Sequence, residues 1–282
     1  MKSGAAIAAI AALALIAGTA VAGKKLQTVS ETVSVAEDQT LSVTARCAKG
    51  TKALSGGFET EWNGQSPPRL DVNRSGSSGK RKWTSQAFNS TTVAGDLSSF
   101  VYCRKADKVA RVTDTVPSPV GLSVTATAQC PPGTRVISGG FAGSPTDALE
   151  PTPVLYISES RRATKRTWEV SAFGNGSEPA ELTAIAACAK GPKLKERSDS
   201  ALVGSDIGAE ESAELLARCK RKERVVSGGF GSPDGSEDST PQVMTSKKQG
   251  RRGWAETVKQ GGTGLNTEAV AYAYCEKTKK KK

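Results

Sequence analysis

Three basic-aromatic clusters have residue types and spacing that could do chemistry. Lys80-Arg81 precedes Trp83, Lys165-Arg166 precedes Trp168 and Arg251-Arg252 precedes Trp254, each pair standing three and two places before its ring. On a strand, the residue two places before the Trp shares its face, while the one three places before points away. Arg81, Arg166 and Arg252 are therefore expected beside Trp83, Trp168 and Trp254. A guanidinium next to an indole can grip an anionic group or a sugar, with the fork donating hydrogen bonds and the ring offering a stacking face. The plainer account is a basic turn leading into a strand, with Arg stacked on the ring for packing alone.

Catalysis finds no comparable footing. The chain contains no His, which removes the commonest general base and the commonest zinc ligand. No GxSxG, no SxxK with a matching KTG and no HExxH is present. No acidic residue recurs near the Trp positions in all three copies. Asp147 and Glu150, or Asp234, Glu237 and Asp238, lack the spacing of a calcium loop and read as solvated loop acids. No catalytic residue, metal site or cofactor is assigned, and the chain is read as a non-enzyme.

The elements that would position these clusters repeat. Ser55-Gly56-Gly57-Phe58, Ser138-Gly139-Gly140-Phe141 and Ser227-Gly228-Gly229-Phe230 each follow a cysteine, with Cys47, Cys130 and Cys219 nine positions before the first glycine. Each copy leads to its Trp and then to a second cysteine, Cys103, Cys188 or Cys275. Six cysteines allow 15 pairings. A disulfide within each unit treats all three alike, and that pairing is expected. Such a bridge closes a loop of about 57 residues, worth on the order of 4 kcal/mol in the chain-entropy model. Zinc is disfavoured, since no CxxC or His lies near.

Within a unit the hydrophobic period is two. Leu41, Val43, Ala45 and Cys47 share one face, as do Leu122, Val124, Ala126, Ala128 and Cys130, which is the pattern of half-buried strands. The third copy is less regular, because Glu210, Glu211 and Glu214 could open a helix; its place in the repeat makes it a strand. Strands are also expected over 69–75, 154–160 and 242–248, through each Trp, and into each second cysteine. Two glycines inside a strand call for a local cause, either a bulge or the unit's own Trp lying across the bare backbone. Six strands per unit give an all-β, sandwich-like fold of three homologous disulfide-bonded units, with tandem beads and a pseudo-threefold body both open.

The expected organisation is a signal peptide over 1–22, units over 23–106, 107–191 and 192–276, and a basic tail over 277–282. Lys2, the apolar run from Ile7 and Ala20-Val21-Ala22 carry the export reading, and the run is too short to span a bilayer. The formal net charge of +11 suits an anionic partner. The tail is either a solvated end or a docking segment. Trp62, beside Asn63-Gly64, is an expected loop aromatic, and Asn73, Asn89 and Asn175 open glycosylation sequons.

The order Cys, Ser-Gly-Gly-Phe, Trp and a last strand ending Ala271-Tyr272-Ala273-Tyr274-Cys275 resembles repeats of exported bacterial proteins to which no activity is assigned. The signal looks similar to those of high-GC bacteria. The resemblance implies architecture and export, not chemistry. Threefold organisation invites comparison with prism-shaped lectins, whose sugar-binding motifs are not found here. The expected function is that of a secreted, non-catalytic binding or structural protein. Its expected partner is an anionic polysaccharide or other cell-envelope polymer, and no nucleic acid is expected. A secreted hydrolase and a protein-interaction scaffold or inhibitor are the alternatives.

Overall fold

Alternating sequence becomes strand throughout. The computed structural model describes residues 26–61, 70–105, 108–144, 155–174, 179–191, 193–204, 211–232, 241–260 and 266–278. The expected signal segment, Trp62, the loop acids at 147, 150, 234, 237 and 238, the sequon at Asn175 and the tail from Lys279 lie outside the described residues. The first unit contributes β1 (Gln27–Val35), β2 (Thr40–Arg46), β3 (Lys52–Glu61), β4 (Leu70–Gly79), β5 (Lys82–Asn89) and β6 (Gly95–Arg104). The second contributes β7 (Ala110–Ser118), β8 (Ser123–Gln129), β9 (Arg135–Gly143), β10 (Leu155–Arg161), β11 (Thr167–Gly174) and β12 (Ala180–Ala189). The third contributes β13 (Lys195–Val203), β14 (Glu211–Arg218), β15 (Glu223–Gly231), β16 (Gln242–Gln249), β17 (Gly253–Gln260) and β18 (Thr267–Lys277). The glutamate-rich third copy is the strand β14. No described residue is helical, so none of the described chain forms a helix long and apolar enough to cross a membrane.

The strands form three six-stranded antiparallel sheets, and every sheet draws on two units. The orders are β1-β6-β3-β16-β17-β14, β2-β5-β4-β9-β12-β7 and β13-β18-β15-β10-β11-β8. A unit thus splits into two triplets that pack against each other and run on into different neighbours. The seams close in a ring: β4 pairs with β9, β10 with β15 and β16 with β3.

All three bridges form within their units: Cys47–Cys103, Cys130–Cys188 and Cys219–Cys275, each with Cα atoms 5.6 Å apart. Each joins the residue just after the first alternating strand to the last strand of the unit. It therefore ties one triplet to the other across the unit's interior, where all six cysteines are buried. Gly133, with φ of 77°, turns the chain between β8 and β9, and Thr134 N donates to Pro131 O at 3.1 Å. A side chain with a Cβ would be strained there.

The Ser-Gly-Gly-Phe stretches lie at the meeting of the units. Each strand bulges just before its serine, at Leu54, Ile137 and Val226. A bulge takes a residue out of the ladder, and these three carbonyls accept from the next unit's serine. Ser55 Oγ donates to Val226 O at 2.5 Å, Ser138 Oγ to Leu54 O at 2.5 Å and Ser227 Oγ to Ile137 O at 2.6 Å. The first glycine takes the Trp: a Cβ on Gly56, Gly139 or Gly228 would fall inside the ring of Trp83, Trp168 or Trp254. The second glycine takes the seam: a Cβ on Gly57, Gly140 or Gly229 would strike the carbonyl of Ser246, Ser75 or Ser160 on the neighbouring unit. The phenylalanines meet in one core cluster, with Phe141 edge-on to Phe58 at 6.2 Å and to Phe230 at 5.9 Å between centroids.

Candidate functional site: the basic turns and the disulfide end

The three repeat tryptophans are interior residues. Trp83, Trp168 and Trp254 keep 2%, 1% and 2% of their surface. One face of each ring covers the bare backbone of its glycine. Each indole N–H donates to the serine eight places earlier: Trp83 to Ser75 at 3.0 Å, Trp168 to Ser160 at 3.1 Å and Trp254 to Ser246 at 3.2 Å. Tyr274 stands edge-on to Trp168 and Tyr102 to Trp254, each at 5.8 Å. The expectation of stacking a ligand on these rings is corrected here: no face is open to one. The reason is the first glycine of each pair, which lets the ring sink flat onto the sheet.

The basic pairs occupy the turns that enter the Trp strands, and their carbonyls do structural work at all three. Arg81, Arg166 and Arg252 accept at O from the N–H of Cys47, Cys130 and Cys219 at 2.7–2.8 Å. Lys80, Lys165 and Arg251 accept from Ala53, Val136 and Val225 at 3.1–3.2 Å. The backbone of each turn thus clamps the first cysteine and the start of the Ser-Gly-Gly-Phe strand. Lys80, Lys165, Arg251 and Arg252 are exposed, while Arg81 and Arg166 are half-buried. Among the described residues the recorded cation–ring contacts join Arg161 to Tyr272, Arg162 to Tyr274 and Lys247 to Phe100, and none involves a repeat Trp.

The sheet registers place these turns at the same end as the six cysteines. There Cys103 opposes Gln27, Cys188 opposes Ala110 and Cys275 opposes Lys195. The described lysines and arginines crowd this half of the molecule; Arg74 and Lys259 lie towards the other end. The carboxylates that share the basic half are engaged. Glu276 meets Arg104 at 2.5 Å and Arg224 at 2.6 Å, Glu223 meets Arg197 at 3.3 Å, and Glu196 lies 3.8 Å from Arg162. Thr278, the last described residue before the tail, donates through N and Oγ1 to Lys222 O at 3.0 and 3.1 Å.

The second unit's turn differs from its counterparts. The other two turn tightly between Gly79 and Lys82 or between Gln249 and Gly253. Here the last paired residues are Arg161 and Glu169, and Arg162 to Arg166, with Gln129 and Glu196, line an open groove of about 580 Å³. Arg162 N donates to Tyr274 OH at 2.7 Å, and its guanidinium lies over that ring, 4.6 Å from the centroid. Arg166 donates from Nε and Nη2 to Cys130 O at 3.0 and 2.8 Å. Thr164 Oγ1 accepts from the N–H groups of Arg166 and Thr167, each at 3.1 Å.

Sequence reasoning missed two sets of contributors. Asp114 and Asp199 accept at Oδ2 from Thr127 N and Leu216 N at 2.8 Å, so an acid on one edge strand satisfies the free edge of the strand facing it. Their signal was the recurring Ser/Thr-acid-Ser/Thr lead before each first cysteine. Glu256 is buried inside the third unit and accepts at Oε1 from Trp254 Nε1 at 2.7 Å and Ser246 Oγ at 2.8 Å. Burial pushes its carboxyl well above the usual carboxylate range. Nothing in the repeat marks it, since Ser85 and Val170 stand at the matching positions. Two sequons prove to be interior. Asn89 is fully buried, with Nδ2 donating to Val35 O and Val93 O, and Asn73 is 4% exposed.

No protein-family model matches the chain, and no curated protein matches it.

Proposed function

We propose that this is an exported, non-catalytic binding or structural protein of the cell surface that holds an anionic polymer through its disulfide-bearing end. The observation that carries the reading is the segregation of lysine and arginine into that half of the molecule. Clustered cations in fixed positions raise the local potential and draw a polyanion by releasing its counterions. The three basic turns supply the contacts with their charged groups, and the Trp rings serve the fold beneath them. Three internal disulfides suit an oxidising compartment, in keeping with the signal-like start and the resemblance to exported bacterial repeat proteins.

The body that presents the turns is inferred to be a pseudo-threefold prism of three split sandwiches. The support is the recurrence of one set of contacts at every seam: serine to bulge carbonyl, glycine under Trp, glycine against carbonyl. Repeated cationic corners on one rigid body favour multivalent capture, which gains avidity from simultaneous engagement.

The test is binding of the mature protein to immobilised polyphosphate, sulfated polysaccharide and neutral dextran across a salt series. Binding to the polyanions, falling steeply with salt, is expected. Replacing Lys80, Lys165, Arg251 and Arg252 together by Glu should abolish it while leaving the thermal melt in place. Equal retention of the protein by neutral dextran and by the polyanions would refute the proposal.

A further inference from the structure

Resting on that reading, we infer that the groove of the second unit's turn is a discriminating subsite for a tetrahedral oxyanion, a phosphoryl or sulfate group on the polymer. The other two basic turns then supply charge without such selection.

Preorganisation separates this turn from its counterparts. Its backbone is held as in the other turns, by the carbonyls of Lys165 and Arg166 that accept from Val136 and Cys130 and by Tyr274 OH at Arg162 N, the counterpart of Tyr102 OH at Lys248 N. Its cationic heads are pinned as well. Arg166 is held by Cys130 O, and Arg162, with a side chain only 10% exposed, lies over the Tyr274 ring. A guanidinium already fixed in place loses little freedom on gripping a ligand. Among the described residues no side-chain hydrogen bond of this kind is recorded for Arg81 or Arg252.

The hydrogen-bond inventory selects the geometry of the ligand. A planar carboxylate is gripped best by the paired Nε and Nη edge of an arginine. In Arg166 that edge is spent on Cys130 O, and the rest of its guanidinium remains as the donor for a ligand. Arg162 presents its outer nitrogens, held only loosely by Leu194 O at 3.5 Å and by Glu196 at 3.8 Å. Lys165 and the hydroxyl of Thr164 add single donors from the turn, and Gln129 adds an amide from β8. Single donors converging from several directions suit a group with three or four acceptor oxygens better than a flat one with two. Glu196, whose side chain is 45% exposed, is the one carboxylate on the groove wall; it can swing outward when an anion enters.

The experiment compares three polyanions matched in length and charge density: polyphosphate, a sulfated polysaccharide and polyglutamate. Binding of the intact mature protein is measured at one salt concentration. Wild type should prefer the two tetrahedral polymers to polyglutamate by about tenfold, the scale of one charge-assisted hydrogen bond. Arg166→Lys keeps the charge and should erase the preference while leaving polyglutamate binding unchanged. Arg252→Lys should alter neither. Lys165→Gln, an exposed change that leaves every backbone contact in place, should lower the preference and guards against a folding defect in the first variant. Preference for polyphosphate over the sulfated chain, or the reverse, identifies which oxyanion is meant. Polyanion binding without preference, or a preference that survives both Arg166→Lys and Lys165→Gln, overturns the subsite and leaves the wider reading standing. Failure of wild type to bind any polyanion overturns both.

Discussion

Glu256 shows how one residue can depart from a repeat and set a property of its own. Its neighbours across the repeat, Ser85 and Val170, carry no charge, and the site it fills is fully enclosed. Oε1 accepts two hydrogen bonds, and Oε2 has no partner. An ionised carboxylate there would be desolvated and half-satisfied, so the protonated form is favoured. The consequence for stability follows in sign. The folded state binds the proton more tightly than the unfolded chain does, so the benefit is fully present below the ordinary glutamate pKa. It is lost as pH rises towards the raised value. Glu256→Gln keeps an acceptor for Trp254 and removes the titration. Melts followed from acid to neutral pH should show wild type losing stability relative to the variant. Parallel curves would contradict the assignment. Serine at the Ser-Gly-Gly-Phe stretch is the opposite case, a residue whose role is the same in all three units. Its repetition was visible in the sequence, but its partner was not, because that partner is a carbonyl on another unit.

At the scale of elements, the Ser-Gly-Gly-Phe strand and the Trp strand are one device. The ring needs a flat surface, and the first glycine provides it. Gly139→Ala would drive a methyl into Trp168, and the ring has no free side towards which to move, with Tyr274 at its edge. The expected cost is about 3 kcal/mol or more, at the upper end for overpacking, read from denaturant unfolding at a fixed temperature. Gly191→Ala, where the nearest atoms lie at 3.8 Å, should cost far less. A comparable loss in both would mean that backbone freedom, not the ring, explains the glycine. The strands themselves were legible from period-two alternation, and the glycine–Trp contact was anticipated from the same strands. The seams between units are less uniform than the repeat suggests. Tyr102 OH accepts from Lys248 N and Tyr274 OH from Arg162 N, both at 2.7 Å. The second unit has Ala187 in that place. Arg111, opposite Ala187 on the next strand, reaches across and donates to Gly79 O instead. A longer side chain on the neighbouring strand replaces the missing phenol.

For the whole molecule, the shared sheets change what the disulfides do. Each closes a separation of 56 or 58 residues, and each also clamps two different sheets together inside its unit. Reduction should therefore loosen all three sheets at once. Thermal melts with and without reductant are expected to differ by tens of degrees, each bridge contributing on the order of 4 kcal/mol in the chain-entropy model. A melt insensitive to complete reduction, checked by thiol titration, would show that the ring of seams suffices. Reduction under native conditions should be slow, because all six cysteines are buried. The basic end belongs to this scale too. No single turn is remarkable for its charge; their gathering at one end follows from antiparallel strands that bring every unit's turns and bridges to the same side.

The sequence by itself displayed the strands, the threefold recurrence of Cys, Ser-Gly-Gly-Phe, Trp and Cys, and the basic pair before each Trp, and it made a bridge from first to second cysteine of each copy the expected pairing. These follow from local alternation and from repetition, which a single chain displays. Only the tertiary structure decided that the units share their sheets, that the tryptophans are enclosed, and that the second unit's turn lines a groove. Those outcomes depend on contacts between residues far apart in the chain: Ser75 against Gly140, Ser138 on Leu54 O, Arg162 on Tyr274. Period-two alternation says that a strand has two faces. Which face meets water is set by what the rest of the molecule brings against it.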